Sequence, residues 1–306
     1  MEFIAGGRAF GQPIVCRACP RMRSGDSLIQ QLELHGALRL TAAHDPTLAR
    51  TLADDPLDGS GVIGLSRNLD TETLSGSIVA TRGCMMLDYA REHDGIGLTK
   101  SGALNRNFLA WAVEAFDWPG YEPAEVYAVN KVVDEIDYLP GWYLHEVMKR
   151  RKIMRKHKDR LLLSPAGREA LDRPGLLQAE LFPETFRGRY LPSLDTAFMG
   201  DFDLYCGLLL WQVRHVTEGW ASAREIFRTA VIPDDAIHEL GGYPDAPIHG
   251  FHLRVLRFLT WFGVLEPAAT GSRRFDADGF RYRATPLFDR FVHFHIATAG
   301  DSDAPH

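Results

Sequence analysis

The chain has 306 residues, 45% apolar and 24% charged, with a net charge of −6 at neutral pH. That length suits about two ordinary domains, and the mild acidity argues against a protein that coats nucleic acid indiscriminately. No apolar run of signal-peptide character follows Met1, and the most apolar stretch, Tyr205 to Val216, is twelve residues long and carries Gln212 and Arg214. A cytoplasmic protein without a membrane span is the expectation.

Residues 1–75 are broken by Gly6-Gly7, Gly11, Pro13, Pro20, Pro46, Pro56 and Asp58-Gly-Ser-Gly61. A helix at Leu28 to Leu34 and a strand at Ala37 to Thr41 are expected within an otherwise weakly ordered region. Cys16-Arg-Ala-Cys19 has the spacing of a zinc or redox pair, and His35 and His44 could complete a site. However, there is no second CxxC, and Cys84 and Cys206 lie far off. The expectation is therefore no metal.

From Ser75 the periodicity sharpens. A helix is expected over Ile78 to Glu92 with Ile78, Met85, Met86 and Tyr89 inward. Gly97 to Leu104 reads as a short extended piece entering a helix capped at Thr99. A helix over Phe108 to Phe116 presents Phe108, Ala112, Ala115 and Phe116, and Pro119-Gly120 ends it. Another is expected over Val126 to Asp137. Pro140-Gly141 opens a helix from Trp142 to about Arg151, with Leu144, Val147 and Met148 on one face.

Ile153-Met-Arg155 and Leu161-Leu-Leu163 then read as two strands around the turn His157-Lys-Asp-Arg160. Ser164-Pro165 is a hydroxyl cap with proline at the first helical position. The order helix, hairpin, capped helix is that of a winged helix. It recurs downstream: an apolar helix at Phe251 to Leu265, strands at Arg273 to Phe275 and Phe280 to Ala284, and Thr285-Pro286 opening a helix to Phe294.

The fold expected is mainly α with short β-hairpins (α+β), in two tandem winged-helix-like units. The boundaries are a weakly ordered region at 1–75, a first unit at 76–173, a helical connector at 174–220, a second unit at 221–296 and a disordered tail at 297–306.

Three segments, Leu98 to Leu104, Leu163 to Gly167 and Leu253 to Glu266, resemble a family of uncharacterised bacterial proteins named after an open reading frame of a root-inducing plasmid. The resemblance covers about residues 85 to 294. It implies a fold and no catalytic residues.

The chemistry concentrates in one place. Positions 149–160 hold eight of the 34 Lys and Arg residues against one acid, Asp159, which leaves 26 basic and 39 acidic residues elsewhere. In a winged helix the wing reaches phosphates while one helix lies in the major groove. The candidate nucleic-acid contacts are Lys149, Arg150, Lys152, Arg155, Lys156, Lys158 and Arg160, with Arg151 beside them. The opposing reading is internal neutralisation by Glu122, Glu125, Asp134, Glu135 and Asp137. In that case the protein is an interaction scaffold with another protein as its partner. His249, His252, His293 and His295 could hold a metal in a third reading, although no HExxH is present and structural histidines are expected. No GxSxG, GxGxxG or GxxxxGK[ST] motif marks an enzyme, and no cofactor is expected. The aromatic set Trp211, Trp220, Trp261, Phe251, Phe258, Phe262, Phe288 and Phe291 suits packing between the units.

Overall fold

The computed structural model describes residues 46–187, 205–230, 245–269 and 275–296. The expected helix at 28–34, the strand at 37–41, Cys16, Cys19, His35, His44, Arg273 and the 297–306 tail lie outside these residues.

Within 46–75, where loose structure is expected, the chain forms α1 (Pro46–Ala53) and β1 (Ile63–Leu65). Ala49, Leu52, Leu57 and Ile63 are fully buried. Asp55, itself buried, holds the connecting turn, its two carboxylate oxygens accepting from Leu57 N at 2.7 Å and Ile63 N at 2.9 Å. The burial partners of this segment come from the far end of the chain, so no local periodicity announces them.

Next come α2 (Ile78–Glu92), β2 (Ile96–Gly97), α3 (Arg106–Phe116), α4 (Pro123–Val129), a 3-10 turn (Glu135–Asp137), α5 (Leu139–Arg150), β3 (Met154–His157) and β4 (Arg160–Leu163). The helices α6 (Pro165–Asp172) and α7 (Pro174–Arg187) follow. The order then repeats through α8 (Cys206–Val216), β5 (Ala221–Ser222), α9 (Ala223–Ala230), and α10 (Ala246–Phe251), which continues as a π segment (His252–Leu256) into α11 (Arg257–Trp261). After them come β6 (Leu265–Pro267), β7 (Arg281–Ala284), α12 (Pro286–Phe291) and β8 (Val292–Phe294).

Both repeats build an antiparallel three-stranded sheet with the last strand central, β2-β4-β3 in one and β5-β7-β6 in the other. In both, a helix precedes the first strand. Cys206–Val216, expected in a connector, takes that place in the second repeat. A third pairing, β1 with β8, ties the N-terminal strand to the end of the second repeat, Ile63 opposite Phe294 and Leu65 opposite Val292.

Several expected details move. α2 starts and stops where its periodicity predicts, with Ser77 Oγ accepting from Ala80 N. Its inward stripe is Val79, Ala80, Gly83, Met86, Leu87 and Ala90, while Ile78, Met85 and Tyr89 are half-buried. Gly83 is the reason: a β-carbon there would lie 3.0 Å from Leu177 and 3.2 Å from Met148, so the closest packing runs along its side. Asn105, not Thr99, caps α3, its Oδ1 accepting from Phe108 N at 2.9 Å. The expected helix 126–137 is split, because α4 ends at Val129 and the 3-10 turn begins afresh where Asp137 accepts from Asp134 N.

The first hairpin is as expected, Met154 opposite Leu163 and Arg155 opposite Leu162. The second is not. The partner of β7 is Leu265–Pro267, and Phe275 lies in no strand. The apolar run read as helix up to Leu265 ends at Trp261, and Gly263 in the left-handed region (φ +72°) reverses the chain into β6. The two Ser/Thr-Pro openings also differ. Ser164 Oγ accepts from Gly167 N, whereas Thr285 Oγ1 donates to the Gly263 carbonyl at 2.6 Å. The last expected helix stops at Phe291 and continues as β8.

One apolar core runs from Ala49 to Val292. Aromatic rings join the repeats: Trp261 of α11 meets Trp118 edge-on at 4.9 Å and Tyr143 of α5 at 5.7 Å, and Tyr143 also meets Phe258 at 5.1 Å. Phe182 of α7 contacts Phe262 and Phe291. Of the aromatics expected to pack between units, Trp261, Phe251, Phe258, Phe262, Phe288 and Phe291 are buried, whereas Trp211 is half-buried and Trp220 is 39% exposed.

Candidate nucleic-acid interface

In the arrangement read from sequence, α5 would lie in a groove. Its environment does not leave that face open. Pro140, Gly141, Tyr143, Leu144, His145, Val147 and Met148 are buried, and the Tyr143 hydroxyl is hydrogen-bonded to Thr185 Oγ1 at 2.8 Å. Burial pushes that phenol well above the ordinary tyrosine range. His145, also buried, shares a 2.6 Å hydrogen bond with Glu135. Lys149 and Arg150 are the exposed residues of the helix, at its last turn.

The basic stretch divides into two groups. Lys149 pairs with Glu146, Arg150 lies 3.9 Å from Glu146 and 4.0 Å from Glu184, and Arg151 pairs with Glu180 of α7. Arg160 turns inward along the chain, its Nη1 donating to the carbonyls of His93 and Asp94 at 2.7 Å each. There it satisfies the C-terminal end of α2, where carbonyls lack helical partners. These cations are already engaged.

Lys152, Arg155, Lys156 and Lys158 are exposed, and their side chains make no hydrogen bond or ion pair among the described residues. Four of the five acids read as neutralising the stretch, Glu122, Asp134, Glu135 and Asp137, have other partners. Asp134 makes a bidentate pair with Arg106 at 2.7 and 3.0 Å, which holds its carboxyl below the usual carboxylate range. Glu135 faces His145, and Glu122 Oε1 accepts from Gly120 N. The internal-neutralisation reading of the wing therefore lacks its expected partners.

Register places the free cations on both faces of the ribbon. Lys156 stands opposite Leu161, on the side of buried Met154, while Arg155 stands opposite Leu162 on the other side. Lys158 sits in the two-residue turn, in the left-handed region at φ +55°. Folding also brings up a cation that the sequence reading missed, Lys100. Its turn is tied to the wing tip by Leu98 N donating to the Asp159 carbonyl at 2.7 Å. A lone lysine some fifty residues upstream carries no signal of this in the sequence.

The hairpin of the second sheet is differently furnished. Arg283 pairs with Glu266 at 2.6 Å, Arg224 with Asp245 and Asp278, and Arg281 donates to the Trp220 carbonyl. A cleft of about 570 Å³ beside it is lined by Arg214, Glu218, Glu266, Arg283 and Asp289, again cation matched to acid. His249 stacks on Phe275 at 4.6 Å, His252 meets it at a tilt at 5.1 Å, and His252 Nδ1 lies 2.6 Å from the Tyr282 hydroxyl. Burial, helped by Arg257 and His249, lowers the His252 pKa to about 3. His293 Nε2 is 2.6 Å from Ser66 Oγ. Among the described residues no three His, Cys, Asp or Glu side chains come together to hold a metal. Burial, helped by Asp88, raises the Cys84 thiol to about 11.

Comparison with known proteins gives a bounded result. Residues 75–176 match the family model described as the Y4jL N-terminal domain, a stretch that contains the whole first repeat. A 94-residue segment is 43% identical to the protein named "Uncharacterized protein y4jL" of Sinorhizobium fredii (strain NBRC 101917 / NGR234), covering 30% of this chain and 43% of that protein. The chain thus spans less than half the length of the curated relative it matches. No solved structure matches it. Among the described residues no helix is long and apolar enough to cross a membrane.

Proposed function

We propose that the two repeats are tandem winged-helix-like units and that the first wing contacts the backbone of duplex nucleic acid, in a cytoplasmic protein. The carrying observation is the unpaired state of Lys152, Arg155, Lys156 and Lys158, beside acids engaged with other partners. Matching helix and strand order with the central last strand supports the winged-helix reading. Leu98 to Leu104 and Leu163 to Gly167 lie inside the stretch matched by the Y4jL N-terminal domain model, and Leu253 to Glu266 lies outside it.

The mode of contact follows from burial. With α5 packed against α7 and α11, base reading by a helix is closed, and phosphate contact by the ribbon remains. The hairpin is one edge of the three-stranded β2-β4-β3 sheet, and its outer strand β3 and its turn can meet the phosphates that line a groove of duplex DNA. Cations on both faces and at the tip suit that placement. Phosphate contacts carry affinity without sequence information. In a salt titration of a labelled DNA duplex against the full chain, four neutralised phosphates give a log–log slope of about −3 to −4. Absence of salt-sensitive binding sinks the proposal.

A second reading, a protein-interaction scaffold, rests on Val129 and Ile136, which are 82% and 81% exposed in the connection between α4 and α5. Substituting both with serine leaves DNA binding unchanged in the first reading. In the second, it abolishes co-purification of a partner.

A further inference from the structure

Beside the first wing the chain makes a tight turn, Thr99-Lys-Ser-Gly102, whose geometry is built around its own oxygen atoms. Thr99 N donates to the Ala103 carbonyl at 2.8 Å, Gly102 N to the Thr99 carbonyl at 2.9 Å, and Ala103 N to Thr99 Oγ1 at 3.1 Å. Thr99 Oγ1 and Ser101 Oγ share a further hydrogen bond. Two successive donors are left over. The backbone N–H groups of Lys100 and Ser101 have no acceptor among the described residues, and both residues are exposed. Gly102 follows in the left-handed region at φ +91°. Successive backbone N–H groups left without an acceptor are available to an anion.

Charge is supplied from the neighbouring strand. A β-carbon at Gly102 would come 3.2 Å from Lys156 Nζ, so the ammonium of β3 lies over the turn. Lys156 is opposite Leu161, and Leu161 is in turn opposite Ile96 of β2, so the register that pairs the strands also sets this meeting. Lys100 contributes a second ammonium from within the turn, and Ser101 a hydroxyl. Lysine acts on phosphate as a point charge, which suits a seat reached from two sides.

We infer that Lys100, the Lys100–Ser101 backbone and Lys156 together hold one phosphate group of the bound duplex. The inference rests on the nucleic-acid reading of the wing and sharpens it: two lysines from different elements share one phosphate. The remaining contacts fall to Lys152, Arg155 and Lys158.

The test uses the full chain, a labelled DNA duplex and a salt series, with the thermal midpoint of each variant checked against wild type. Lys100→Ala and Lys156→Ala each weaken binding several-fold, and Ser101→Asp, which places a carboxylate in the seat, weakens it as well. The double variant Lys100→Ala/Lys156→Ala flattens the salt slope by about 0.9, the value for one phosphate. A flattening of about 1.8 means two separate phosphates and overturns the shared seat. Unchanged binding by Lys100→Ala, while Arg155→Ala still weakens it, also overturns the seat and leaves the wing reading standing. Wild-type protein without salt-sensitive binding removes both.

Discussion

The two three-stranded sheets share a strand order and differ in how their charges are paired. In the second, Glu266 sits directly opposite Arg283 across the ladder, and Asp245 and Asp278 flank Arg224. In the first, the residues opposite Arg155 and Lys156 are Leu162 and Leu161, which offer no countercharge. One topology thus yields a self-neutralised ribbon and an open cationic one, and cross-strand pairing decides which. Exposed ion pairs contribute little to folding. The difference therefore bears on what each wing can bind more than on how stable it is.

Four experiments press on this contrast, the largest effect first. The wings are held in one block by the aromatic contacts of Trp261, so Trp261→Ala should lower stability by about 3–5 kcal/mol. Urea unfolding followed by two probes should still show one transition, and two separated transitions would mean that the repeats are independent. Next, Arg155→Ala/Lys158→Ala in the first wing should flatten the salt slope of DNA binding by about two units. Arg281→Ala/Arg283→Ala in the second should leave it unchanged, and equal effects from both pairs would erase the contrast.

Arg160 tests the division within the first wing. It serves two carbonyls at the end of α2, so Arg160→Ala should cost about 1 kcal/mol in a thermal melt, whereas Lys158→Ala should cost nothing measurable. The last prediction concerns pH. His252 stays neutral in the folded protein down to a pKa of about 3, while the unfolded chain takes up the proton near 6.5. Stability should fall as pH drops from about 6.5 toward 3, and His252→Gln should remove that part of the dependence. Identical pH profiles for the two proteins would show that His252 is not held neutral.

Much of the first repeat was legible because its signals are local. The extent of α2 followed from its own residues although its buried face did not, Ser164-Pro165 opens α6, and two short segments around the polar turn His157 to Arg160 set the β3–β4 hairpin. The second hairpin was misassigned because Arg273 to Phe275 resembles a strand in composition, while the strand that pairs, Leu265–Pro267, is the continuation of an apolar helix and ends in proline. Of the candidate site, the basic stretch was visible as a charge run. Its division into engaged and unengaged cations was not, since Glu180 and Glu184 come from α7 and the His93 and Asp94 carbonyls from the end of α2.

Sequence by itself determined the helices with clean caps, the first ribbon and the concentration of positive charge at 149–160, because each depends on residues within a few positions of one another. Tertiary structure decided that α5 is buried against the second repeat, that Ile63 finds its strand partner at Phe294, and that Lys156 comes against the turn at Gly102. Those outcomes depend on which distant surfaces meet in one core. That is set by the collective burial of apolar area, and no local pattern of residues records it.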